Sequence, residues 1–323
     1  MTNASTQPPP LFSPGDADDR AYCNVRDEVT EHARICKQFS QQLWDRYHPY
    51  ADDHFLAEIR KDFNARFWEM YLTCTLLDNG PKLGYVVSCS KPGPDALVEH
   101  EGQRLWIEAT VATDGDPTKP DSAVEDHSGN VPDEKILFRY ANAIDTKHKK
   151  YLLYRDNGII GKSDTYVIAI NGYPLSYRWA EPEIPRILKA LFPIGPLEML
   201  IDRKTKMALG TRYQYRPAVK KISGSPVSTE IFLDQQYCGI SAILYSCASG
   251  YGSSSPLGTD FILVHNPQAS QPLPPGFLPC GREYRATAVK EGYEVVFQAG
   301  SLAAPEKEYQ KSLASPVTPE MAE

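Results

Sequence analysis

GPDALVEHEGQRLWIEAT, residues 93–110, decides how this chain is read. Two runs rich in apolar and β-branched residues flank Glu101-Gly102, where Gly supplies the positive φ that a two-residue hairpin turn needs at its second position. A hairpin centred there places Asp95 directly opposite Glu108, on one face, with Cβ atoms about 4.5–5.5 Å apart. Leu105, Trp106, Ile107, Ala109 and Val111 mark the second strand as buried, where an unpaired carboxylate is costly. Two like charges held together repel and require a compensating cation. A divalent ion such as Mg²⁺ or Mn²⁺ meets that need, because it takes one or two carboxylates plus water and phosphate oxygens. An ordinary salt bridge, for example to Arg104, meets it too, and the residues alone leave both readings open.

Outward from the hairpin, periodicity predicts the neighbouring elements. Val29, Ala33, Cys36, Phe39 and Leu43 recur at three- and four-residue steps and predict a helix over 25–47. A second helix is predicted over 51–78, with Asn79-Gly80-Pro81 as its stop. Its end, FWEMYLTCTLL (67–77), is apolar nearly all round, so Glu69 inside it needs a partner. Arg66, three residues earlier, and a metal site are the two candidates. Strands are predicted over 82–88, 96–99 and 103–111, then a polar loop over 113–132 and a long helix over 133–157. The run YVIAIN (166–171) reads as a fully buried strand. The order describes an α/β core with a mixed central β-sheet flanked by helices. Beyond it a short helix (185–191) and strands at 197–201, 241–245, 261–264 and 294–297 are predicted as a less regular α+β extension. They either extend the sheet or form a subdomain.

Gly93-Pro94-Asp95, followed by Trp106-Ile107-Glu108-Ala109-Thr110, resembles the PD-(D/E)XK nuclease superfamily, the restriction-endonuclease-like fold. The resemblance covers about residues 55–171, and Glu69 falls where that superfamily carries a Glu on an N-terminal helix. It implies Asp95 and Glu108 as catalytic metal ligands, Glu69 as a further ligand, and Mg²⁺ or Mn²⁺ as cofactor. The family's motif Lys falls on Thr110 here. Some members supply that lysine from the following helix, which points to Lys147 in RYANAIDTKHKKY, with Arg139 as a second phosphate contact. The implied function is a metal-dependent phosphodiester hydrolase acting on nucleic acid, with DNA as the expected substrate. The alternative is a catalytically inactive nuclease-fold protein serving as a nucleic-acid-binding or interaction module.

Composition bounds these readings. The 323 residues are 41% hydrophobic with 19 Tyr and 11 Phe, enough for a sizeable core. One domain is expected over 21–300, with disordered tails at 1–20 and 301–323. The net charge of −7 argues against coating nucleic acid by bulk attraction but leaves room for a local basic patch. Seven scattered cysteines show no zinc spacing and no CxxC. No apolar run is long enough to span a bilayer and no secretory signal opens the chain, so a cytoplasmic protein without a membrane partner is expected. Ser241 with the distant His265 lacks a nucleophile elbow, and the Gly-rich GYGSSSPLGTD (250–260) lacks a phosphate-loop Lys. Arg212, Tyr213, Tyr215 and Arg216 could stack along a nucleic-acid groove, although aromatic residues more often fill a core.

Overall fold

The structure is a computed structural model that describes residues 8–302, except 90, 125–130, 253–254 and 290–291. The helices are α1 (Arg20–Arg26), α2 (Glu31–Tyr47), α3 (Phe55–Glu58), α4 (Phe63–Leu83), α5 (Asp133–Asp156) and α6 (Arg186–Leu191). The strands are β1 (Val86–Ser88), β2 (Ala96–His100), β3 (Gln103–Val111), β4 (Thr165–Asn171), β5 (Ile194–Ile201), β6 (Ala208–Tyr215), β7 (Ala218–Lys220), β8 (Pro226–Ser228), β9 (Ala242–Ser246), β10 (Ile262–His265), β11 (Arg282–Val289) and β12 (Gly292–Ala299).

Glu101 and Gly102 both take positive φ, 48° and 80°, the combination whose twist matches antiparallel strands. The turn fixes the register of β2 on β3, with His100 opposite Gln103 and Ala96 opposite Ile107, as the sequence predicts. A mixed sheet of 8 strands grows from this hairpin in the order β1-β2-β3-β4-β9-β10-β11-β12. α5 makes the crossover between the parallel strands β3 and β4. The first four helices cover one face and α5 and α6 the other. Alternation along β3 and β4 separates the two cores: Leu105, Ile107, Val167 and Ala169 pack toward α4, while Trp106, Ile168 and Ile170 pack toward α5. Trp68 of α4 also donates from Nε1 to the Ala169 carbonyl at 3.0 Å, which ties helix to sheet.

The C-terminal half resolves the open choice in both directions. β9 to β12 extend the central sheet, while β5–β6 and β7–β8 are separate two-stranded ribbons. Three local expectations are corrected. Pro81 lies inside α4, which runs to Leu83 and ends on left-handed Gly84 (φ 75°). The Tyr85 N–H closes that end on the Gly80 carbonyl at 3.0 Å, so the helix ends on its capping bonds rather than at Asn79-Gly80-Pro81. The helix predicted over 25–47 is two helices, divided at Glu28 with positive φ and restarted by Thr30, whose hydroxyl accepts the Ala33 N–H. Residues 8–20, expected to be disordered, are packed. Leu11 and Phe12 are buried, Trp44 Nε1 donates to the Pro9 carbonyl at 2.8 Å, and the Arg60 guanidinium holds the Ser13, Pro14 and Asp16 carbonyls. Residues 1–7 and 303–323 lie outside the described residues. No helix among the described residues is long and apolar enough to cross a membrane.

Candidate active site

Alternation on β3 turns Glu108 toward α5, and its side chain is fully buried. Two ammonium groups meet it there. Lys147 Nζ and Lys150 Nζ each lie 2.7 Å from Oε1. Their spacing of three residues puts both on one stripe of α5. Tyr154, four residues further, brings its hydroxyl to 3.1 Å from the Gly93 carbonyl and 3.4 Å from Glu108 Oε2. Burial would lower the Lys150 pKa, but the charge of Glu108 and its hydrogen bond outweigh it and raise that pKa above the ordinary lysine value. Lys150 therefore stays cationic at neutral pH.

Asp95 stands one position before β2, where the ladder ends, and its carboxylate reaches across to β3. The Ala109 N–H donates to Oδ2 at 2.7 Å, while Oδ1, among the described residues, has a 3.7 Å approach from Lys91. Burial, followed by the charges of Glu108 and Glu69, pushes the Asp95 carboxyl up to about 6, against the opposing pull of Lys147 and Lys91. Asp95 and Glu108 lie one position beyond the last ladder pair of the hairpin, Ala96 with Ile107.

Glu69 takes the simpler of its two readings. Tyr47 donates to Oε1 and Arg66 to Oε2, each at 2.6 Å, so both oxygens are engaged. Burial and the Glu69 charge raise the Tyr47 hydroxyl pKa, which keeps it a donor. Arg104 does not pair with either hairpin carboxylate. It lies 3.2 Å from Asp164 and over the Trp106 ring. Lys147 stands where the sequence placed it. Arg139 does not join the site: it lies eight residues back along α5, about 12 Å by helix rise. Its guanidinium donates to the Asp121 carbonyl and packs against Gly115, where an added Cβ would lie 2.3 Å from Nη1. Thr110, at the motif lysine's position, pairs in the ladder with Ile170 and brings no ammonium.

Sequence reasoning missed Tyr154, Lys91 and Tyr47. Tyr154 shares the stripe of Lys147 and Lys150, and helical spacing was the signal available for it. Lys91 and Tyr47 arrive through loop and helix packing that no local pattern announces. Ser241 and His265 are engaged elsewhere: Ser241 Oγ accepts the Tyr166 N–H, and His265 pairs with buried Glu283 at 2.5 Å.

Among the described residues, no group of three or more His, Cys, Asp or Glu side chains forms a ready cation cage. Mg²⁺ does not need one, since it is held by one or two carboxylates with waters and substrate oxygens. The least committed oxygens are Asp95 Oδ1 and Glu108 Oε2, and the raised Asp95 pKa marks a place where added positive charge would be favoured. A divalent ion held here would have to use these two oxygens. Glu69 contributes negative charge from behind rather than an open ligand. No protein-family model matches the chain, and neither a curated protein nor a solved structure matches it.

Proposed function

We propose that the protein is a metal-dependent phosphodiester hydrolase acting on nucleic acid, with DNA as substrate. The observation that carries this reading is Glu108, buried on β3, receiving two helix-borne ammoniums beside a second carboxylate with a raised pKa. Asp95 and Glu108 would hold Mg²⁺ or Mn²⁺, which when bound supplies Lewis acidity and lowers the pKa of a coordinated water. The Ala109 N–H fixes one oxygen of Asp95 and leaves the other for the ion. Lys147 supplies the ammonium that Thr110 cannot, and Lys150 doubles it; both stabilise charge that develops on the scissile phosphate. Tyr154 anchors the Gly93 carbonyl beneath the Asp95 loop.

Plasmid nicking in Mg²⁺ or Mn²⁺ tests the assignment. Asp95→Asn and Lys147→Ala are each expected to lose about 100-fold or more in rate, the scale of one electrostatic stabiliser. Adding Thr110→Lys to Lys147→Ala should recover at least part of it, because position 110 follows Glu108 by two residues on the same strand face. Undiminished cleavage by Asp95→Asn would overturn the mechanism. A second reading, a nuclease fold that binds nucleic acid without cutting it, is favoured by Thr110 and by the two lysines already engaged on Glu108 Oε1. Cleavage gained by Thr110→Lys, where the wild type has none, would select it.

A further inference from the structure

The β5–β6 ribbon has no place in the hydrolase site. It forms its own two-stranded sheet, pairing Leu197 with Tyr213 and Met199 with Thr211. Leu197, Met199 and Ile201 alternate along β5 onto one exposed face, and Met207 and Leu209 follow near the tip, each 68% exposed. Five exposed apolar side chains on one narrow ribbon are not core packing. The turn between the strands carries Arg203, Lys204 and Lys206, all exposed, and Asp202 caps it by accepting the Lys204 and Thr205 N–H groups. Residues 194–228 contain seven Lys and Arg against two Asp and Glu, in a chain whose net charge is −7. A local positive excess in an acidic protein has a polyanion as its natural complement.

We infer that the β5–β6 ribbon is a nucleic-acid-binding arm. In this role Arg203, Lys204 and Lys206 contact backbone phosphates, and the Met207–Leu209 end presents apolar side chains to the base edges of a duplex groove. A two-stranded ribbon has the width to enter a groove, and apolar side chains beside Lys and Arg are the combination that wedges against base steps. A second copy of the chain is disfavoured as occupant, because pairing two such tips would oppose their positive charges. The choice of nucleic acid over another polyanion rests on the hydrolase reading of the Asp95–Glu108 site.

The test is fluorescence anisotropy of a labelled duplex of about 20 base pairs in EDTA, so that binding is read without cleavage. Wild type is compared with Arg203→Glu/Lys204→Glu; Lys206 is left alone because its backbone already has positive φ. The double variant is expected to bind about 10-fold or more weakly, with the slope of log affinity against log salt reduced by about two. Lys61→Glu, an exposed charge reversal outside both the ribbon and the carboxylate site, should bind as wild type does. Wild-type binding that the double variant retains in full would overturn the arm while leaving the hydrolase reading in place. Failure of the wild type to bind any duplex would overturn the arm, as would binding to phosphatidylserine vesicles in its place. So would a dimer in sedimentation that Met199→Asp dissociates. Arm-dependent binding without any metal-dependent cleavage would support the arm and sink the hydrolase reading.

Discussion

Asp95 is the residue whose titration the site explains most directly. Its carboxyl has an ordinary pKa of 3.8 in an unfolded chain and is pushed up to about 6 by burial and by Glu108 and Glu69. The folded state therefore holds its proton across the window between those values. The stability this contributes is complete below the unfolded pKa and is lost as pH rises through about 6. Asp95→Asn should consequently stabilise the fold at pH 7.5 in metal-free buffer by on the order of 1–3 kcal/mol, read as a higher Tm, with the gain shrinking toward pH 4. Thermal melts of both proteins across that range check it, and an unchanged or lowered Tm at pH 7.5 would refute it. Truncation at Glu108 strands two ammoniums against β3. Lys150 is 45% exposed and can turn to water, so Glu108→Ala should cost about 2–3 kcal/mol, the low end for a broken buried pair. Glu108→Gln, which keeps the acceptor, should cost less. Equal stability of the two variants in urea unfolding would show that the lysines do not depend on the acceptor at 108.

At the scale of elements, the parts legible in the sequence were those fixed by local chemistry. The Glu101-Gly102 turn set the β2–β3 register because two positive-φ residues admit few alternatives. The β4 run YVIAIN was readable because both its faces are buried. The N-terminal segment was misread because Pro and Asp outnumber its two large apolar residues, and Leu11 and Phe12 acquire their role only when α2 and α4 are assembled. Leu11→Ala should therefore cost about 2–4 kcal/mol, as for a core leucine, where a disordered tail would cost nothing. A denaturant midpoint equal to wild type would restore the disordered reading. The acidic loop following β3 gave no sign of its anchors either. Asp114 accepts the Ser176 N–H at 3.1 Å, a partner 62 residues away that no local pattern identifies.

For the whole molecule, one sheet of eight strands includes the hairpin, and the carboxylates end up where β3, α5 and the approach to β2 converge. The sequence supplied Asp95, Glu108 and Lys147 because each sits in a short motif or at a helical spacing from one. It could not supply Lys91 or Tyr47, which reach the site by tertiary packing, nor exclude Arg139, which the acidic loop captures. The proposed function requires Asp95 and Glu108 together to bind a divalent cation. Calorimetric titration of Mn²⁺ into wild type and into Asp95→Asn/Glu108→Gln at pH 7.5, with and without duplex DNA, checks this requirement. One site per chain in the wild type, absent from the double variant, is the predicted result. Equal Mn²⁺ binding by both proteins, or none by the wild type even with DNA present, would contradict it.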